Sequence, residues 1–450
     1  MRRRRPRRLR VALIVAPGCS LLELVGANTV WTTAGLLSRS IETVVVGATT
    51  APLFSSTPLW FRPQRSFVET ERPDVVLVVG TGDRTPRAQE DPELLDYVCR
   101  AAESAAFVGA TGSGALVLAA AGLLEGRAAT TRWDLGPQLA AMGVEYRHAA
   151  VVEDGRYFTG AGSSAAIDLS LLLLARLRTK KLAQRVQIAI EWDPHPPFCP
   201  LSQSDDAEPA LPDTRATGPA VRRRIARVIY EGLTALDLVG PLEVLAALSR
   251  RRPEFVPIVV AERAEPVTCD GQIQFLPDRS FDELPDPEVL IVPGGGLPTL
   301  RAMSDPTLRR YLGTAATAAN NVASVCTGAL LLAGLGLLAG RTATTHWAYR
   351  AYLPAFGASY VQARWVAHNG MINAAGVSAG IDMALRLVAD LTDEETARRV
   401  QRDLQYAPDP PFGGFDHERL PGLMRVFRGA LSLVVPLYSW RPRQLLRRGA

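Results

Sequence analysis

In the second half of the chain, short, mainly apolar runs alternate with longer segments whose apolar positions recur every three or four residues. Residues 227–230, 256–260, 289–293 and 322–325 read as strands rich in β-branched side chains. Residues 238–248, 307–319 and 381–391 read as helices, and 327–338 is apolar on every side, as a buried helix is. Strands without polar alternation, interleaved with helices, predict a parallel sheet covered on both faces. Ligands of such sheets lie beyond the carboxyl ends of the strands, so chemistry is sought there.

The pattern occurs twice. The chain matches itself at a constant offset of 214 residues, so that Leu24-Val25-Gly26 recurs as Leu238-Val239-Gly240, Gly114-Ala115-Leu116 as Gly328-Ala329-Leu330, and Pro196-Pro197-Phe198 as Pro410-Pro411-Phe412. A period this long is a duplicated domain rather than a solenoid unit. The match places one domain at 9–198 and a second at 223–412. A proline-, serine- and aspartate-bearing linker joins them at 199–222, and a tail follows at 413–450 that the first copy lacks.

Composition adds three exclusions. With 450 residues, 47% hydrophobic and 21% charged, the chain is neither disordered nor collagenous and can fill two cores. Its net charge of +5 resides at the ends: removing the seven arginines of residues 1–10 and the six of 421–450 leaves 37 basic against 45 acidic residues, net −8. An acidic body argues against a nucleic-acid partner. The cysteines (Cys19, Cys99, Cys199, Cys269 and Cys326) form no Cys-x-x-Cys pair, and the histidines are dispersed. That pattern predicts no disulfide framework, no metal and a reducing cytoplasm. The run 322–339 is uncharged over eighteen residues but carries glycine and serine breakers, so it reads as buried strand–turn–helix rather than a membrane span. The basic tail is partly apolar at 431–438 and interrupted by Pro436 and Pro442; packing on a domain is favoured over contact with an anionic membrane surface.

The sharpest local feature is Ser324-Val325-Cys326-Thr327-Gly328, a cysteine on the abrupt turn from a buried strand into a buried helix. Such an elbow projects the sulfur at the open sheet end. A helix N-terminus there is expected to favour thiolate and to stabilise an anionic intermediate. Pro293-Gly294-Gly295-Gly296 follows a strand and can bring backbone N–H groups close to a ligand. Asp237, between leucines after the first strand of the second copy, is either a helix N-cap or a carboxylate facing the cysteine as general base. His346 and Trp347 are read as a capped histidine beside a packed indole, with a pocket wall as the alternative. His368 before Asn369-Gly370 reads as an exposed residue at a hairpin.

The segments 234–241, 293–296, 324–330, 340–347 and 408–412 make the second copy resemble the PfpI/ThiJ-type, class I glutamine amidotransferase-like superfamily. Within it the likeness is to the isonitrile hydratases and to the amidase-like domain of AraC-type regulators. The resemblance implies two flavodoxin-like α/β sandwiches with parallel sheets in tandem. It also implies Cys326 as nucleophile, Asp237 as acid–base group, Thr327 as the residue orienting them, and no metal or organic cofactor. Gly295, Gly296 and Gly328 become candidate oxyanion or substrate-binding residues, with His346 and Trp347 beside them. Because these folds usually dimerise, the duplicated chain is expected to form an intramolecular pseudo-dimer. The implied reaction converts an isonitrile to an N-substituted formamide. The alternative is a small-ligand sensor without its own helix-turn-helix. Departures narrow the choice. No His-x-Glu partner follows Cys326, since His417-Glu418 is adjacent and lies in the tail, and Thr327 stands where the intracellular proteases place histidine. Glu231 is a minor candidate. At the 214-residue offset the first copy carries Gly112 for Cys326, Ser113 for Thr327, Glu23 for Asp237 and Arg132 for His346, so it is expected to be catalytically dead.

Overall fold

The computed structural model describes residues 8–70, 72–82, 85–198 and 222–413. The basic arm at 1–7, the expected linker and nearly all of the tail lie outside the described residues. Contacts sort the rest into two compact units, one of residues 8–190, 271–273 and 404–413, the other of 191–198, 222–270 and 274–403.

Each unit is built on a seven-stranded sheet with one shared order. In the second unit the strands run Arg279–Ser280, Phe255–Ala261, Arg223–Val228, Val289–Val292, Asn321–Val325, Met371–Ala374 and Trp365–His368. All neighbours pair in parallel except the last two, which form an antiparallel hairpin. Parallel pairing follows from the apolar strands: Val289–Val292 and Val322–Val325 are buried on both faces, which only helices on either side can provide. The helices Ala235–Arg251 and Val377–Leu391 bury fourteen and eleven residues respectively, so each is almost wholly interior. Their close approach depends on Gly240, whose added Cβ would meet Ile381 at 2.7 Å. This is the expected α/β fold with mostly parallel sheets, present twice.

Element boundaries differ from the sequence pattern where polar residues are tolerated at ends. The first strand of the second unit begins at Arg223 because its two leading arginines stay partly exposed, Arg223 pairing with Glu288 at 2.5 Å. The buried helix after Cys326 stops at Gly334, and Gly336 turns the chain with φ of 80°. The Asn369-Gly370 hairpin forms as read, with φ of 45° and 75°, and His368 is exposed, its ring Nε2 2.7 Å from the Thr342 hydroxyl.

The compact units differ from the repeat at their ends. Residues 191–198 belong to the second unit, where Trp192 is fully buried, Glu191 accepts from Ser378 Oγ at 2.7 Å through its carbonyl, and the His195 amide donates to Asp382 at 3.0 Å. Residues 404–413 belong to the first unit, where Tyr406 is buried and the Asp409 amide donates to Asp168 at 3.0 Å.

Candidate functional site

The strand Asn321–Val325 ends below the elbow, where Ser324 Oγ accepts from the Asn373 side-chain Nδ2 at 2.8 Å. Cys326 then takes φ of 57°, a left-handed conformation that a non-glycine residue adopts only under constraint. Two bonds hold it there: its amide donates to Ala374 O at 3.0 Å, and its carbonyl accepts from Thr345 Oγ1 at 2.8 Å. Gly328 opens the following helix so close to the neighbouring strand end that an added Cβ would lie 2.2 Å from Val292 O. The close approach of helix and strand at this point requires a glycine.

Asp237 sits in the first turn of Ala235–Arg251 but does not cap it; Thr234 holds the N-cap position without a side-chain bond, and Asp270 Oδ1 accepts from the Ala235 amide at 2.7 Å instead. Asp237 is fully buried, accepts from the Gly294 amide at 3.2 Å through Oδ2, leaves Oδ1 without a partner among the described residues, and lies close enough to Cys326 for each group to shift the other's titration. The N-cap reading is thereby set aside, and the carboxyl lies beside Cys326. Burial pushes the Asp237 carboxyl well above the usual carboxylate range, reinforced by Asp270 and Glu191. Asp270 itself is pushed up to about 6, chiefly by burial.

The thiolate expected from a helix N-terminus is not the resting state. Burial, followed by the charges of Asp237 and Glu191, pushes the Cys326 thiol well above its ordinary range, and the opposing N–H of Thr327 does not reverse this. The helix behind the thiol has only seven residues, and desolvation outweighs its dipole. Thiol and carboxyl therefore form a coupled buried pair, each pushed toward its protonated form.

The glycine loop is also engaged differently from expectation. The amides of Gly295 and Gly296 both donate to Thr327 Oγ1, at 3.0 and 3.1 Å, and that hydroxyl lies 2.8 Å from Thr299 Oγ1. Thr327 therefore locks the loop against the elbow, and these two N–H groups are spent on it rather than offered to a ligand. The N–H beside the sulfur is that of Thr327 itself. His346 adopts the capping role: its Nδ1 accepts from the Ala348 amide at 3.2 Å, with its ring 5.3 Å from that of Trp347. Trp347 lines a cavity of about 210 Å³ together with Glu191, Thr345, Tyr360 and Arg364. Glu231 is not drawn to the thiol; it is exposed, accepts from the Thr268 amide at 3.3 Å and acts on Cys269.

Four participants escaped sequence reading. Thr299 and Tyr230, whose hydroxyls lie 2.9 Å apart, anchor the glycine loop. Tyr349 stands over Gly296, where an added Cβ would lie 3.0 Å from its hydroxyl, and burial pushes that hydroxyl well above the ordinary tyrosine range. Glu191 is remote in sequence from every other site residue. Only its spacing before the repeated Pro-Pro-Phe could have marked it. Among the described residues, no group of three His, Cys, Asp or Glu side chains is placed to hold a metal.

The first unit repeats the scaffold around a filled site. Gly112 has φ of 50°, its carbonyl accepts from Thr131 Oγ1 at 2.9 Å, and Ser113 Oγ accepts from the Thr81 amide at 2.9 Å. Glu23 accepts from the Gly80 amide at 3.0 Å, as Asp237 does from Gly294, and also from Thr111 Oγ1 at 2.7 Å. Its extra methylene carries Oε1 to within 2.4 Å of where a Cβ at position 112 would stand. A Gly112→Cys replacement alone is therefore expected to yield a strained, poorly alkylated thiol. Adding Glu23→Asp is expected to raise its iodoacetamide reactivity about tenfold or more, measured by peptide mass spectrometry. Equal labelling of the single and double variants would contradict the filled-site reading.

Comparison with known proteins places both units. The DJ-1/PfpI family model matches residues 9–176 and again 223–390. The chain is 39% identical over 199 residues to isonitrile hydratase of Pseudomonas putida, covering 44% of this chain and 85% of that protein. It is 29% identical over 147 residues to the HTH-type transcriptional regulator CdhR of Pseudomonas aeruginosa, covering 32% of this chain and 42% of the regulator. A crystal structure of a ThiJ/PfpI family protein from Pseudomonas syringae aligns at 33% identity and a TM-score of 0.45, over 54% of this chain and 99% of that one. Two matches to one family model, each spanning a sheet with the same strand order, make this chain a tandem member of the DJ-1/PfpI family.

Proposed function

We propose that the second unit hydrates a small isonitrile to its N-substituted formamide, with Cys326 as nucleophile, Asp237 as acid–base group and Thr327 as the residue that fixes the elbow. The observation that carries this reading is the placement of a buried carboxyl, pushed toward its protonated form, beside a buried thiol held in a left-handed turn between strand and helix. Such a pair suits a substrate whose carbon must receive both a sulfur and a proton. The thiol sulfur bonds the terminal carbon of R–NC while its proton passes through Asp237 to that carbon, giving the thioimidate R–N=CH–S–Cys. Water then adds to the same carbon, its proton taken up by Asp237 and delivered to nitrogen. The C–S bond breaks, the thiol regains its proton, and R–NH–CHO leaves. The sum is R–NC plus water, with no redox change and no cofactor. Similarity to the Pseudomonas putida isonitrile hydratase supports the substrate class.

Incubating the full chain with cyclohexyl isocyanide tests this. N-cyclohexylformamide is expected by liquid chromatography and mass spectrometry, and its absence would set the hydratase reading aside. Similarity to transcriptional regulators favours a second reading, ligand sensing, in which cyclohexyl isocyanide binds without turnover. The proposal includes an intramolecular pseudo-dimer located in the cytoplasm. Sedimentation of the full chain as one compact monomer is expected, and two separately tumbling lobes in scattering would count against it. Among the described residues no helix is long and apolar enough to cross a membrane.

A further inference from the structure

Glu191 is the site residue that the hydration chemistry above leaves without a task. It is 5% exposed and held at φ of 48°, a left-handed conformation unusual for glutamate. Its Oε1 accepts from the Trp347 amide at 3.2 Å, which fixes the indole on the cavity wall. Its Oε2 is buried and has no donor among the described residues. Space for that oxygen is made by Gly376, where an added Cβ would fall 1.6 Å from it. Gly376 has φ of −141°, so the glycine is needed for room and not for backbone conformation.

The cavity that receives this carboxylate adjoins the elbow through Thr345, which holds the Cys326 carbonyl, and through Ala375. Its one lining guanidinium, Arg364, gives two of its nitrogens to Asp382 and to the carbonyl of Asp193, while its Nε and the Trp347 indole Nε1 are buried without an acceptor among the described residues. Asp193 is a second carboxylate on the cavity lining, and Asp237, Cys326 and Tyr360 each feel the charge of Glu191. A buried carboxylate oxygen with no donor is costly unless a ligand supplies one.

We infer that Glu191 forms a subsite beside Cys326 for the ammonium or N–H donor end of a small substrate, so that the second unit selects cationic or donor-bearing molecules over anionic ones. The inference rests on the Cys326 site proposed above and narrows its substrate class. The equivalent position at the 214-residue offset is Gln405, whose Oε1 accepts from the Trp133 amide at 3.4 Å and whose Nε2 donates to Asp134 at 3.2 Å. The first unit thus keeps the geometry while losing the charge.

Labelling of the full chain tests the subsite without relying on turnover. Aminoethyl and sulfonatoethyl methanethiosulfonate, cationic and anionic versions of one reagent, are compared at Cys326 with Cys99 as internal reference. The cation-to-anion rate ratio at Cys326 is expected to exceed that at Cys99 about tenfold, and Glu191→Gln is expected to remove most of that excess. An unchanged ratio in the variant would overturn the subsite. Should the variant not fold, protection of wild-type Cys326 from methyl methanethiosulfonate decides. Butylammonium is expected to protect and butyrate not to, and equal protection would refute the inference. In turnover, Glu191→Gln is expected to raise KM for a dimethylammonium-bearing isonitrile about tenfold more than for cyclohexyl isocyanide. Retained labelling selectivity without any formamide would leave the subsite standing and remove the hydratase reading.

Discussion

Replacing Cys326 with alanine is expected to abolish formamide production, a loss of roughly 10³-fold or more, the scale on which a missing nucleophile acts. Stability should change little, because only one sulfur atom is removed and the elbow is held by other groups. The amide bond to Ala374, the Thr345 bond to the carbonyl and the Thr327 clamp on Gly295 and Gly296 all survive the substitution. Alanine also tolerates φ of 57° poorly, as cysteine does, so the strain is common to both. Steady-state kinetics with cyclohexyl isocyanide and a thermal melt read the two halves of this expectation. A variant with a substantial fraction of wild-type turnover would show that the thiol is not the nucleophile.

Asp237→Asn is expected to lower turnover by about 10²- to 10⁴-fold, the usual weight of a positioned acid–base group, while making Cys326 easier to alkylate. The two effects diverge because the carboxylate both carries the proton and holds the thiol up. Without that charge, iodoacetamide labelling of Cys326 should begin at lower pH than in the wild type. Stability should move in the same direction as reactivity. In the unfolded chain the acid loses its proton near its ordinary value of 3.8, whereas burial keeps it protonated well above that in the folded unit. The folded state therefore holds more protons above that value, and wild-type stability falls as pH rises through the folded-state range. Asp270, pushed up to about 6, adds to this fall between roughly pH 4 and 6. Asp237→Asn removes its share, so the variant should melt higher than wild type at pH 7, with the gap closing toward pH 4. A gap that widens on acidification would contradict the buried-acid description. Sites of this kind commonly hold such tension between activity and stability.

The thiol's resting state shows where sequence reasoning stops. A strand, a cysteine, Thr327-Gly328 and an apolar helix sufficed to place the elbow, because each depends on residues within a few positions of one another. Whether that thiol ionises depends on how completely Asp237 and Glu191 enclose it, and both arrive from distant segments. The same division holds for the glycine loop. Its position after Val289–Val292 was legible, but the direction of the Gly295 and Gly296 amides is set by the Thr327 hydroxyl across the sheet end. In the first copy, the loss of the cysteine was visible as Gly112, whereas Glu23 filling the vacated space was not. Glu191 was least accessible of all, since the repeat assigns it to the end of the first copy and the structure to the second unit.

The central claim, that Cys326 bonds directly to the substrate carbon, is tested most directly by trapping. The full chain is mixed with cyclohexyl isocyanide, quenched with borohydride within the first turnovers and digested. The expected result is a mass gain of one reduced substrate molecule on the Cys326 peptide, absent from Cys326→Ala. Formamide released at the wild-type rate with Cys326 unmodified at every quench time would contradict it.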